Sequence, residues 1–201
     1  MALSIDPWSF PDAELDPKGE GEKSIVLGGG CFWCVEAVFK QLPGVLTVRP
    51  GYAGDSAETA DYSSVSSGAT NHAEVVEVVY DAAQVGLGAI LKVFFAIAHD
   101  PTEMNRQGPD VGRQYRSAIF YRDAMQREVA EAYMKQIEGA HLFDRPLATT
   151  LEPLTAFHPA EGYHHDYAAR NPLQPYIRFV AQPKMEKMRA YRAHAPEEKT
   201  R

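Results

Sequence analysis

Two cysteines, Cys31 and Cys34, are all that 201 residues carry, so no framework of structural disulfides holds this chain together. Basic residues are in deficit too: 20 Lys and Arg stand against 27 Asp and Glu, a formal charge of −7 with neutral histidines. A chain of that sign has no global field for a phosphate backbone, which argues against nucleic acid as a partner. Long apolar runs are also missing. The greasiest stretch, Val85 to Ala98, is broken by Gly86, Gly88 and Lys92, and it falls short of the roughly 20 apolar residues of a membrane span. The opening Met-Ala-Leu-Ser-Ile-Asp-Pro-Trp has neither a basic segment nor an apolar one after it. No signal peptide is therefore expected, and the cytoplasm is the expected location. What is present is core material. Hydrophobic residues make up 45% and aromatics 10%, enough to fill one domain of this length and to exclude a disordered chain.

Residues 1–22 hold several prolines and glycines with scattered acids and no period, and read as an N-terminal arm, poorly ordered or draped on the surface. Ser24–Leu27 is a short apolar run entering Gly28-Gly29-Gly30, a strand followed by a tight turn. From Cys31 to Leu42, Phe32, Val35, Val38, Phe39 and Leu42 recur at helical spacing until Pro43-Gly44. Val45–Val48 reads as a strand. Glu74–Tyr80 reads as another, with Val76, Val78 and Tyr80 on one face. Asp81-Ala-Ala-Gln84 has the form of a capping box for a helix through Ala98, and Asp123-Ala-Met-Gln126 for one through Glu138. Ser117–Tyr121 and Ala148–Leu154 complete the strands, and the charged stretch 182–201 reads as a solvated helix or tail. This order predicts an α+β domain over 23–181, a two-layer sandwich on a mixed, ferredoxin-like (split βαβ) sheet.

Cys31 follows three glycines and opens a helix. Free backbone N–H groups and the positive end of the helix dipole favour a thiolate there, and the glycines let the chain turn sharply around the sulfur. Cys34 lies one helical turn on, on the same face, within reach for a disulfide. The plain alternative is that both are small buried hydrophobes.

The string Gly30-Cys31-Phe32-Trp33-Cys34-Val35-Glu36-Ala37 closely resembles the active-site motif of A-class peptide methionine sulfoxide reductases. Further blocks match that family in order and spacing: Gly51-Tyr52 with Tyr62, His72-Ala73-Glu74-Val75-Val76, His99-Asp100-Pro101-Thr102, Asn105 to Gly108, Asp110 to Ser117, and Ala160 to Tyr167. The resemblance runs from about Lys23 to Val180 and implies reduction of methionine-S-sulfoxide in peptides, and as the free amino acid. It implies Cys31 as the nucleophile, Glu74 as the acid that protonates the departing oxygen, and Tyr62 and Tyr115 as hydrogen-bond donors to that oxygen. Phe32 and Trp33 would wall an apolar pocket for the S-methyl group, and Asp110 would bond the substrate. Burial among aromatics would keep Glu74 protonated near neutral pH. Read without the motif, Glu74 is a solvent-facing acid on an alternating strand, Asp110 a loop-capping residue, and the tyrosines ordinary loop residues.

After oxygen transfer Cys31 would carry a sulfenic acid, which condenses with a nearby thiol. Many members of the family carry Gly where Cys34 stands and place a resolving cysteine in the tail, where this chain has Ile177. Cys34 is then the intramolecular candidate, its disulfide with Cys31 being reduced by a thioredoxin-type dithiol. Direct attack by an external thiol, with Cys34 as packing, is the alternative. No bound cofactor or metal, an oxidised protein or peptide methionine as partner, and a monomer are expected. The rival readings are a zinc hydrolase or deaminase using His72-x-Glu74 with Cys31 and Cys34, a zinc site drawing on His158, His164 or His165, a non-catalytic peptide-binding module, and general thiol–disulfide exchange.

Overall fold

The computed structural model describes residues 4–17 and 19–194. The expected strands and helices form in order. They are β1 (Glu22–Gly29), α1 (Phe32–Phe39), β2 (Val45–Ala53), α2 (Tyr62–Ser66), β3 (Ala73–Asp81) and α3 (Leu87–Val93). Then come β4 (Arg106–Gln107), β5 (Asp110–Val111), β6 (Ser117–Tyr121), α4 (Ala124–Gly139), β7 (Thr150–Pro153), β8 (His158–Pro159), α5 (Tyr167–Arg170) and α6 (Gln182–Ala193). The main sheet runs β7-β6-β1-β3-β2-β8. Its four central strands pair antiparallel, with β3 inserted between β1 and β2, and β7 joins β6 in parallel. That is the split βαβ arrangement the sequence order predicts. Among the described residues no helix is long and apolar enough to cross a membrane.

The period-2 alternation of the strands sorts the two faces. Ile25, Leu27, Val76, Val78, Tyr80 and Ile119 meet the helices in the main core, while Val26, Val75, Ala118 and Phe120 cluster on the other face with Leu154 and Phe157. Glu77, on this second face, is buried but holds both Arg49 and Arg122.

Two expectations are corrected. Asp81 does not start a helix, because it still belongs to β3. Its carboxylate instead accepts the Ala83 N–H (3.0 Å) and the Gln84 amide (2.6 Å) in a local turn. Helix α3 begins at Leu87, and its cap comes from far away in sequence: Asp16 Oδ1 accepts the Gly88 N–H at 2.9 Å. A Cβ on Gly86 or Gly88 would meet the Asp16 carboxylate at 2.2 to 2.9 Å, so only glycine admits that approach. The N-terminal arm is therefore draped and anchored. Phe10 is buried in the core, Lys92 pairs with Asp12, and the Tyr133 hydroxyl donates to the Pro11 carbonyl (2.9 Å). The C-terminal stretch does form a helix to Ala193, but not a solvated one throughout: Lys184 and Met188 are buried against the domain. Residues 195–201, the end of the expected tail, lie outside the described residues.

Candidate active site

The Gly28-Gly29-Gly30 turn delivers the chain from β1 to α1 through a narrow gap. Gly30 takes φ +83°, and a Cβ there would sit 2.6 Å from the Gln107 side chain. Gln107 clamps the following loop, donating to the Asp100 carbonyl (2.6 Å) and accepting the Asp100 N–H (2.9 Å). A Gly30→Ala variant is expected to lose about 1–3 kcal/mol of stability through backbone strain alone, read as a lower urea midpoint. An unchanged midpoint would remove the turn's conformational demand from this account.

The turn places Cys31 at the cap position of α1, where its sulfur makes no capping hydrogen bond. The first free N–H of the helix, that of Phe32, goes instead to Glu74 Oε2 at 3.1 Å. This overturns the expectation that the helix start holds Cys31 as a thiolate. Burial pushes the Cys31 thiol up, assisted by Cys34 and Glu74. Cys34 moves the other way, down to about 7, because the Cys31 thiol hydrogen-bonds its sulfur and Lys184 adds a favourable charge against the cost of burial. Both cysteines are free and buried.

Glu74 is not the solvent-facing strand acid of the plain reading. It lies on the helix-facing side of β3, 2% exposed, and burial raises its carboxyl to about 8, the Phe32 N–H only partly opposing. It is protonated at neutral pH. A cavity of about 200 Å³ is lined by Cys31, Phe32, Trp33, Tyr62, Glu74, Asp110, Tyr115, Gln174 and Tyr176. Seven of the eight residues singled out from the sequence thus meet at one hollow, and the eighth, Cys34, lies just behind it, 3.9 Å from the Tyr176 hydroxyl. Tyr62 stands at the start of α2 and Tyr115 at the end of the turn Arg113–Tyr115. Burial keeps both phenols protonated, Tyr62 being pushed up to about 12 and Tyr115 further. They can only donate or accept as neutral hydroxyls at working pH.

Tyr176 and Gln174 were not legible from the motifs. The Tyr176 hydroxyl gives its single proton to Asp110 Oδ2 and receives the Cys34 thiol as a donor. Asp110 itself is raised by burial. Their one sequence signal is position, since Tyr176 directly precedes Ile177, which is buried with Cys31 and Cys34.

The late block Ala160–Tyr167 braces the pocket from behind. His164, fully buried, accepts the Trp33 indole N–H at 3.1 Å, and Tyr167 stacks on the same indole at 3.8 Å. Glu161 accepts the Tyr62 N–H and the Tyr52 hydroxyl, each at 2.8 Å. Both carboxylate oxygens of Glu36 accept the Asp166 N–H, at 3.0 and 3.1 Å, tying this block to α1. Two histidines of the zinc readings are engaged elsewhere: His72 turns Nε2 to the Ser56 carbonyl (3.0 Å), and His164 accepts the Trp33 indole N–H. Among the described residues no three His, Cys, Asp or Glu side chains are grouped to hold a metal ion.

The family model of the peptide methionine sulfoxide reductases matches residues 23–196. The chain belongs to that family. MsrA 2 of Synechocystis sp., a peptide methionine sulfoxide reductase, is 47% identical over 192 residues, covering 92% of this chain and 90% of its own. The MsrA of Thermus thermophilus is 52% identical over 168 residues, covering 84% and 94%. Among solved structures, reduced Mxr1 from Saccharomyces cerevisiae overlays with a TM-score of 0.69 at 31% identity, covering 80% of this chain and 92% of the other. Methionine sulfoxide reductase A of Corynebacterium diphtheriae gives 0.63 at 37% identity, covering 78% and 79%. The reductase is an oxidoreductase of the methionine-repair class, and the zinc-hydrolase reading is not favoured.

Proposed function

We propose that this reductase takes the S-epimer of methionine sulfoxide, in oxidised proteins and as the free amino acid, through a Cys31 sulfenic acid that Cys34 resolves. The observation that carries the reading is the shared hollow of a sulfur nucleophile, a protonated carboxyl and two phenols. The sulfoxide oxygen lies toward Glu74, Tyr62 and Tyr115, and the methyl group against Phe32 and Trp33. The Cys31 sulfur attacks the substrate sulfur as Glu74 protonates the oxygen; the hydroxyl then passes to the Cys31 sulfur while the transient S–S bond and the substrate S–O bond break, and the Cys31 thiol proton restores Glu74. Methionine departs and the oxygen remains on Cys31 as a sulfenic acid. Nucleophile, oxygen donors and methyl wall address three directions around a pyramidal sulfur, which accepts only one epimer in productive pose.

Cys34 then attacks the sulfenic sulfur and water leaves, giving a Cys31–Cys34 disulfide for a thioredoxin-type dithiol to reduce in the cytoplasm. The location of Cys34 beside Cys31 in one buried cluster supports this over external attack. No bound cofactor enters the cycle, and the protein acts as a monomer.

The test is a single turnover without reductant, in which free thiols and methionine are counted after mixing reduced protein with excess racemic methionine sulfoxide. One methionine per chain with both thiols lost is expected, and a Cys34→Ser variant should form one methionine and stop at a sulfenic acid. Loss of only one thiol in the wild type would remove Cys34 from the cycle. No methionine formed would overturn the reading entirely.

A further inference from the structure

Cys34 must give up a proton to attack, because the thiolate and not the thiol is the nucleophile. Its side chain is 1% exposed and packs behind the hollow with Ile177 and Ala181, so bulk water does not take that proton directly. A hydrogen-bonded path leads out. The Cys34 thiol donates to the Tyr176 hydroxyl at 3.9 Å, and that hydroxyl donates to Asp110 Oδ2. Tyr176 and Asp110 both line the hollow that holds Cys31. A neutral hydroxyl can receive a proton on its oxygen while releasing its own, so Tyr176 can pass a proton without becoming an ion. Glu74 is protonated at neutral pH and does not serve as the base. Asp110 accepts the Tyr176 proton as a carboxylate, and burial makes it a stronger base than an exposed aspartate.

The path is held from both ends. Asp110 pairs with Gln107 across the β4–β5 hairpin, and the Gln107 side chain crowds Gly30 in the turn that carries Cys31. The Tyr176 ring stands edge-on to the Trp33 indole, centroids 6.0 Å apart, and Trp33 directly precedes Cys34 on α1.

We propose that Cys34, Tyr176 and Asp110 form a proton relay for the resolution step, Asp110 being the general base that deprotonates Cys34 through the Tyr176 hydroxyl. The inference rests on the resolving role of Cys34 proposed above. Methionine has left before this step, so no substrate competes for Asp110. As the Cys34 sulfur forms its bond to the Cys31 sulfur, the thiol proton passes to the Tyr176 oxygen and the Tyr176 proton to Asp110. The Cys31 S–OH bond breaks, the Cys34 sulfur being oxidised and the Cys31 sulfur reduced. The departing hydroxide takes the proton now on Asp110, within the hollow they share, and leaves as water. Tyr176 and Asp110 end in the states in which they began.

Quenched-flow single turnovers of the full chain with racemic methionine sulfoxide test this, methionine and alkylated thiols being counted in the same samples. Tyr176→Phe keeps the ring and removes the oxygen; Asp110→Asn keeps an acceptor that takes no proton. The interval between methionine formation and loss of the second thiol should lengthen about 10²-fold in each, the lower end of what a positioned base contributes. The double variant should be no slower than either single one, since both cut the same path. An unchanged interval in Tyr176→Phe, or penalties that multiply in the double variant, would overturn the relay while leaving Cys34 as the resolving thiol. A wild type that keeps one thiol would overturn both readings. Formate, small enough to enter the hollow, supplies a readout that packing does not move. It should shorten the interval severalfold in Asp110→Ala and leave Asp110→Ala combined with Tyr176→Phe unmoved. An equal shortening in both, or none in either, would overturn Asp110 as the base.

Discussion

A Cys31→Ser variant forms no methionine above the buffer background, while its Cys34 thiol survives the incubation intact. The loss is absolute because the nucleophile is also the oxygen acceptor. A thiol that takes the sulfoxide oxygen ends as a sulfenic acid, a stable rung of the cysteine oxidation ladder. A serine would have to end as a hydroperoxide, for which the substrate supplies no driving force. Cys34 cannot substitute, since it lies behind the cavity against Ile177 and Ala181 and does not line it. Mass spectrometry after incubation with excess sulfoxide is the check, and methionine formed at even a hundredth of the wild-type rate would displace Cys31 from its role.

Glu74→Gln should cut the first-turnover rate by about 10²–10⁴-fold, the usual worth of one positioned acid. An amide keeps the acceptor for the Phe32 N–H and the hydrogen bonding to the substrate oxygen, but it has no proton to give. The pH profile separates this from a packing defect. With its carboxyl raised to about 8 by burial, wild-type Glu74 is acid at pH 7, and the first-turnover rate should fall as pH climbs through about 8. The Gln variant should show no such fall. A wild-type rate that rose steadily across the same range, following cysteine ionisation alone, would sink the acid role. Stability carries an independent signature. The native state keeps a proton that the unfolded chain releases above its ordinary 4.5, so Glu74 increasingly destabilises the fold between about pH 4.5 and 8. Thermal melts should therefore show Glu74→Gln gaining on the wild type as pH rises across that window, with the gap closing near pH 4.

Much of this site is legible in one dimension because strand phase and helix phase are simple. Val76, Val78 and Tyr80 share a face as their alternation predicts, and Glu74, two residues back on that alternation, lies with them on the helix side of the sheet although the plain reading of an acid turned it to solvent. Asp123 caps α4 as its spacing with Gln126 implies, its carboxylate accepting the Gln126 N–H at 2.8 Å. The failures share a cause. Asp81 has the same local signature but closes a strand, and the cap of α3 comes from Asp16, 72 positions from the Gly88 N–H that it accepts. Tyr176 carries no motif of its own and becomes part of the site only because the segment after α5 folds back over Cys34.

The order of strands and helices, the glycine turn, the paired cysteines and the ordered blocks of the reductase family were determined by sequence alone, since each depends on local backbone preference or on residues at fixed spacing. Tertiary structure decided the protonation of the site. Whether Cys31 or Cys34 is the more acidic thiol, and whether Glu74 is an acid or a carboxylate, depends on what surrounds each group in three dimensions. The helix N-terminus that would have ionised Cys31 is used by Glu74, which β3 carries there. Burial and charge act through space, so no reading of neighbours along the chain could assign them.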